Sequence, residues 1–239
     1  VHDSLYRLVH GVRKIAAGLR PFSESVWPGA RTDLFVAHES VYAFAARSVR
    51  GCDVLDAGCG SGYGSDLLAR AGARSVMGVD LDRRNIAYAV RHYGRSGVAF
   101  CVADLEEFAL PAGSFDFTIA SNSLEHLHEP KRFLDRLRLL LRPGGRALIS
   151  VPPIYSEADL EVHRGIHYHR SNLPVQGWTD LMQGTGFRVS AVLHKSDRQP
   201  DFRSHRPSAL TVDDFTFIPA PVERLLEEPS IGAIYDLRV

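Results

Sequence analysis

Val54-Leu55-Asp56-Ala57-Gly58-Cys59-Gly60-Ser61-Gly62-Tyr63-Gly64 decides how the rest of the chain is read. A short apolar run ends near an acid, and glycines then occupy every second position from Gly58 to Gly64. Glycine permits the left-handed backbone that a tight strand-to-helix turn needs, and it lets a ligand approach the main chain. The helix opening after such a turn presents unpaired N–H groups to a polar or anionic group. Tight packing alone also explains a glycine cluster, so spacing has to discriminate. A dinucleotide turn reads G-x-G-x-x-G, whereas the sixth position here is Tyr63 and the pattern is G-x-G-x-G.

Working outward, Asp80 closes a second apolar run 24 residues after Asp56, and Asp104 follows a third run another 24 residues on. That spacing puts three carboxylates at the C-terminal ends of adjacent parallel strands, lining one crevice beside the glycine turn. A carboxylate accepts both hydroxyls of a ribose, which suits Asp80, and an acid one strand over suits an exocyclic amine. Each acid singly would serve as a helix cap. Three in register argue for a ligand.

The surrounding chain has the same rhythm. Strands are expected at 53–57, 75–79, 98–102, 115–120 and 147–151, with helices at 64–71, 83–93 and 130–141. The alternation predicts an α/β fold, a doubly wound and mostly parallel sheet covered on both faces. Before it, apolar residues at helical spacing predict helices over 4–19 and from Leu34 to about Val49, broken by the Pro21 to Pro28 stretch; residues 1–50 are read as an N-terminal helical cap on a domain at 51–239. After Pro152-Pro153, residues 154–173 read as a polar, His-rich loop, followed by a helix at 175–184. Residues 187–193 and 232–239 read as two final strands, with 195–230 an insertion between them.

The 239 residues carry 28 Lys plus Arg against 28 Asp plus Glu. A nucleic-acid partner is disfavoured, because displacing phosphate counterions calls for a basic excess. Cys52, Cys59 and Cys101 have neither metal spacing nor the number of a disulfide framework, which suggests a reducing compartment. No apolar run approaches a membrane span, and the first residues lack a signal core. The expectation is a cytoplasmic chain of unspecified oligomeric state.

The ordered set Asp56 to Gly62, Asp80, Ala103-Asp104-Leu105, Ser121-Asn122-Ser123-Leu124-Glu125-His126-Leu127 and Leu141-Arg142-Pro143-Gly144-Gly145 resembles the class I methyltransferases that use S-adenosylmethionine, closely over residues 52–152. The form of the glycine turn and the preceding His38-Glu39-Ser40-Val41-Tyr42 helix look most like a bacterial small-molecule branch. The resemblance implies a seven-stranded sheet with an antiparallel last strand, S-adenosylmethionine as cofactor and a small-molecule acceptor. It implies that Asp56, Gly58, Cys59, Gly60 and Gly62 form the turn holding the methionine end. Asp80 and Leu81 would serve the ribose side, Ala103, Asp104 and Leu105 the adenine, and Ser121 the segment over the methyl group.

Methyl transfer needs a nucleophile aligned in line with the departing sulfur, and a base where that nucleophile is a hydroxyl. His126 is the candidate base, since an imidazole titrates near neutrality; bonding to a backbone carbonyl is its other reading. Some families of this class carry E-x-x-E-H here and bind a divalent metal. Asn122 replaces the first Glu, which counts against a metal, although Glu125 and His126 with His163, His167 or His169 offer suitable ligands. Acceptor contacts are expected from the N-terminal helices, the loop with Tyr155 and Tyr168, and the insertion with Arg198, Arg203, His205 and Arg206; Trp178 is read as core. A nicotinamide-dependent oxidoreductase and a non-catalytic cofactor-binding module stand as alternatives.

Overall fold

The computed structural model describes Val26 and residues 28–239. The helix expected over 4–19 and most of the Pro21 to Pro28 stretch lie outside the described residues. Helix α1 (Asp33–Ala46) comes first, started by Thr32, whose hydroxyl accepts from the Phe35 N–H. The α/β run follows: β1 (Asp53–Ala57), α2 (Tyr63–Arg70), β2 (Ser75–Asp80), α3 (Arg83–Tyr93), β3 (Val98–Val102), β4 (Phe115–Ser121), α4 (Pro130–Leu140) and β5 (Leu141–Val151). Helices α5 (Glu157–Arg164) and α6 (Val175–Gln183), strands β6 (Arg188–Ser196) and β7 (Phe215–Ala220), helix α7 (Val222–Glu227) and strand β8 (Ala233–Arg238) complete it.

The sheet runs β3-β2-β1-β4-β5-β8-β6-β7. The first five strands are parallel, and β8 enters antiparallel between β5 and β6. Strand order reverses between β1 and β4, the switch point where doubly wound sheets open a crevice beyond their strand ends. Consecutive strand residues serve opposite faces. Leu55, Ile149 and Tyr235 pack with Leu134, Leu137 and Trp178 on one side. Val54, Leu148 and Ile234 pack on the other with Leu68 and with Val41 and Tyr42 of α1. Each fully buried large apolar side chain contributes roughly 1.5–3 kcal/mol, so covering both faces stabilises the sheet and fixes its register.

Four expectations need correction. Among the described residues the sheet has eight strands, not seven, because β7 lies inside the insertion and pairs with β6 at the sheet's edge. Its Pro219 has no N–H to give a ladder, and an edge strand is where a sheet tolerates such a residue. The insertion also holds α7, and the loop at 154–173 contains α5, so neither is irregular throughout. Strand β5 begins at Leu141 instead of 147, absorbing Pro143-Gly144-Gly145 through a register shift against β4. The insertion folds back over the start of α1: the Asp33 carboxylate accepts from the Asp201 N–H at 2.8 Å and the Ser208 hydroxyl at 2.5 Å. Among the described residues no helix is long and apolar enough to cross a membrane.

Candidate active site

The turn after β1 is held by backbone in the left-handed region at Gly58 (φ 79°), Gly60 (φ 52°) and Gly62 (φ 84°). At Gly58 a side chain is excluded twice, since a Cβ there would also lie 2.2 Å from Ser123 Oγ. The turn is tied to β2 as the N–H groups of Gly58 and Cys59 both donate to the Val79 carbonyl. Asp80 then pulls it inward, one carboxylate oxygen accepting from the Gly60 N–H at 2.8 Å. The other accepts from the Asp82 N–H and Asn85 Nδ2. Burial raises the Asp80 carboxyl from the usual range, against the pull of those donors.

A cavity of about 1270 Å³ opens over these strand ends. Gly58, Cys59, Gly60, Asp80, Leu81, Ala103, Asp104, Leu105, Ser121 and His126 all stand on its wall. Leu81 is 68 % exposed, a large apolar side chain facing the opening. Asp56 and Gly62 are not on the wall. Asp56 lies fully buried beneath the turn, accepting from Tyr42 Oη at 2.9 Å and Ser65 Oγ at 2.6 Å. Burial pushes its carboxyl up to about 6 although both hydroxyls favour the ionised form. Gly62 caps α2, and its α-carbon packs toward Ala89 and Phe100.

The far wall comes from the chain leaving β4. Asn122 adopts a left-handed backbone (φ 50°), donates its N–H to the Ser150 carbonyl and accepts from Ser150 Oγ. This sharp exit sets a single turn, Leu124–His126, across the crevice. Glu125 is 2 % exposed, and its Oε2 has no hydrogen-bond partner. Burial pushes its carboxyl up to about 8. His126 opens onto the cavity with Nδ1 3.3 Å from the Tyr168 carbonyl, and the desolvating wall lowers its pKa. The N–H groups of Arg170 and Ser171 donate to the Glu125 carbonyl, so the loop after α5 is pinned to this turn.

That loop brings His169 to the His126 ring at 5.2 Å, with one donor atom each from Glu125, His126 and His169 lying within 4.8 Å of one another. His163 and His169 meet through their Nδ1 atoms at 3.3 Å. Of the three histidines named as possible companions, His167 is absent from the cluster and from the cavity wall. Among the expected acceptor contacts, Tyr168 and Arg203 reach the cavity. Tyr155 Oη donates to the Leu225 carbonyl, and Arg198 is taken up by Asp214 and the Ala209 carbonyl. Trp178 is core, as read. The N-terminal helices were expected to contact the acceptor, and in α1 His38 and Tyr42, read only as part of that helix and set on one face by their i,i+4 spacing, do line the cavity. Sequence reasoning passed over His194, which gave no local signal; its Nε2 meets Ser40 Oγ at 3.1 Å.

The chain's likenesses agree with this geometry. A family profile described as a methyltransferase domain matches residues 55–149. A Mycolicibacterium smegmatis protein named a probable S-adenosylmethionine-dependent methyltransferase is 35 % identical over 159 residues, 66 % of this chain and 61 % of that protein. A ubiquinone biosynthesis O-methyltransferase of Methylocella silvestris is 38 % identical over 104 residues, 43 % of this chain and 40 % of its own length. The chain thus spans less than two thirds of either relative. In architecture it is similar to an S-adenosylmethionine-dependent methyltransferase from Mesorhizobium loti, with a TM-score of 0.60 at 19 % identity, covering 83 % of this chain and 98 % of that one. With the parallel sheet, the glycine turn and the acids at successive strand ends, these likenesses place the domain in the class I, S-adenosylmethionine-dependent methyltransferase family.

Proposed function

We propose that this chain transfers a methyl group from S-adenosylmethionine to an oxygen of a small molecule. The carrying observation is one cavity bearing the glycine turn and Asp80 on one wall and His126 on the other. In this reading the turn at Gly58, Cys59 and Gly60, with Ser121, receives the methionine end. Asp56 and Gly62 act from below, by holding the turn's shape. Asp80, already fixed by three N–H donors, turns its remaining lone pairs to the ribose hydroxyls. Leu81, Ala103, Asp104 and Leu105 flank the adenine.

The cofactor supplies an electrophilic methyl carbon. The chain's part is to align the acceptor, exclude water and take the proton. His126 takes that proton in this reading. Its Nδ1 lies against the Tyr168 carbonyl, and burial lowers the ring's pKa, which favours the unprotonated form a base needs. The oxygen target draws on this base and on the name of the O-methyltransferase relative. Isothermal calorimetry with S-adenosylhomocysteine tests the cofactor site. Wild type should bind, and Asp80→Ala should bind at least about tenfold more weakly, since hydrogen bonds to a charged group contribute about 1.5–3 kcal/mol. Absence of binding to wild type at high micromolar ligand overturns the reading.

A further inference from the structure

We propose that His194, Ser150 and Gly232 form a recess that selects the methyl acceptor, by accepting hydrogen bonds from an uncharged hydroxyl or N–H group carried apart from the methylated atom. The recess rests on the methyl-transfer reading only in taking its occupant to be the acceptor. All three residues stand on the wall of the cavity that holds the glycine turn. His194 is 2 % exposed, and among the described residues its Nδ1 has no hydrogen-bond partner. A buried polar atom left unpaired costs free energy until a partner arrives.

The tautomer of His194 follows from its neighbour. Ser40 Oγ donates its one proton to the Ala37 carbonyl at 2.7 Å, so toward His194 Nε2, at 3.1 Å, it accepts. Burial pushes the ring's pKa down to about 3, so the ring is neutral, with its proton on Nε2 and a lone pair on Nδ1. Ser150 repeats the pattern: its hydroxyl proton goes to Asn122 Oδ1 at 3.1 Å, which leaves lone pairs to offer. The ring is held in place before any ligand arrives. Its backbone N–H donates to Ser230 Oγ, its carbonyl accepts from the Ile231 N–H, and it stacks on Phe217 at 4.6 Å. Gly232 supplies the space. A Cβ there would lie 3.4 Å from Ser150 Oγ and 3.5 Å from His194 Nδ1, ordinary contact distances that the fold would admit. What the glycine keeps open is the approach to both lone pairs. The two side chains facing that space offer acceptors, so a carboxylate or phosphate oxygen is turned away, and an ammonium finds no carboxylate between them to balance it.

Phenol and aniline probe the recess as ring-borne donors, and fluorobenzene as a ring of like shape without one. Full chain carrying isotope-labelled histidine is read by proton–nitrogen NMR, the His194 signals being those missing from His194→Phe. In the free chain at neutral pH, Nδ1 should carry no proton. Phenol and aniline should move the Nδ1 signal and, followed at the Ile231 amide, bind at least about fivefold tighter than fluorobenzene, which leaves the buried acceptors unpaired. His194→Phe keeps a ring to stack on Phe217, and Gly232→Ala only fills the space; either should cut the preference below about twofold. Circular dichroism confirms that each variant folds; if His194→Phe does not, Gly232→Ala decides. A proton on Nδ1, equal binding of fluorobenzene, no binding of phenol or aniline, or a preference that survives Gly232→Ala overturns the recess. Calorimetry of the wild type with S-adenosylhomocysteine keeps the two readings apart. Nucleotide binding beside a failed donor preference sinks the recess alone, and the converse sinks the cofactor site alone.

Discussion

At the scale of single residues, the three acids show how spacing misleads by a small offset. Asp56, Asp80 and Asp104 are equally spaced, yet Asp56 pairs with Gly78 and Asp80 with Val102. Each acid therefore stands two residues further along its strand direction than the one before, and Asp56 ends beneath the turn while Asp80 and Asp104 reach the cavity. Strand existence was legible from the alternation; the offset was not, because inter-strand register is a tertiary property. Burial has a measurable consequence at Asp56. A carboxyl with a folded-state pKa of about 6 against an ordinary 3.8 binds more protons folded than unfolded between those values. Stability then falls as pH rises through that window, by a total of about 3 kcal/mol. In urea unfolding at pH 5.0 and 7.5, Asp56→Asn should gain about 1 kcal/mol on wild type from the lower pH to the higher. An unchanged difference would mean that Asp56 keeps an ordinary pKa.

At the scale of elements, α5 was hidden by its neighbours. Pro152-Pro153 and the scattered histidines suggest irregular chain, but Ser156-x-x-Asp159 is a capping signature, and both reciprocal bonds form. None of the α5 side chains is buried, so its helicity depends on that cap more than on packing. Losing a hydroxyl N-cap costs about 1 kcal/mol. Ser156→Ala should therefore speed hydrogen exchange of the α5 amides about fivefold, with the global melting temperature unchanged, because the loss is confined to a locally opening unit. A matching fall in melting temperature would show instead that α5 unfolds with the core. Since α5 carries His163, the same fraying would loosen the ring that meets His169.

At the scale of the whole molecule, the equal basic and acidic counts leave no net field to gather polyanions. Fluorescence anisotropy with a single-stranded RNA at 50 mM salt should show no binding below about 10 micromolar; tight binding that weakens steeply with salt would reverse that expectation. The parallel half of the sheet was readable because βαβ rhythm is local. The other half was less so, since β7 is short, exposed and interrupted by Pro219. That half also assembles out of sequence order. Strand β8 is the last of the eight in sequence, yet it fills an interior slot between β5 and β6. A growing chain thus exposes the unpaired rim of β5, and separately that of β6, until residues 233–238 emerge to join them. During synthesis the molecule passes through a stage with two half-sheets and open edges, when pairing with another chain competes with the strand still to come.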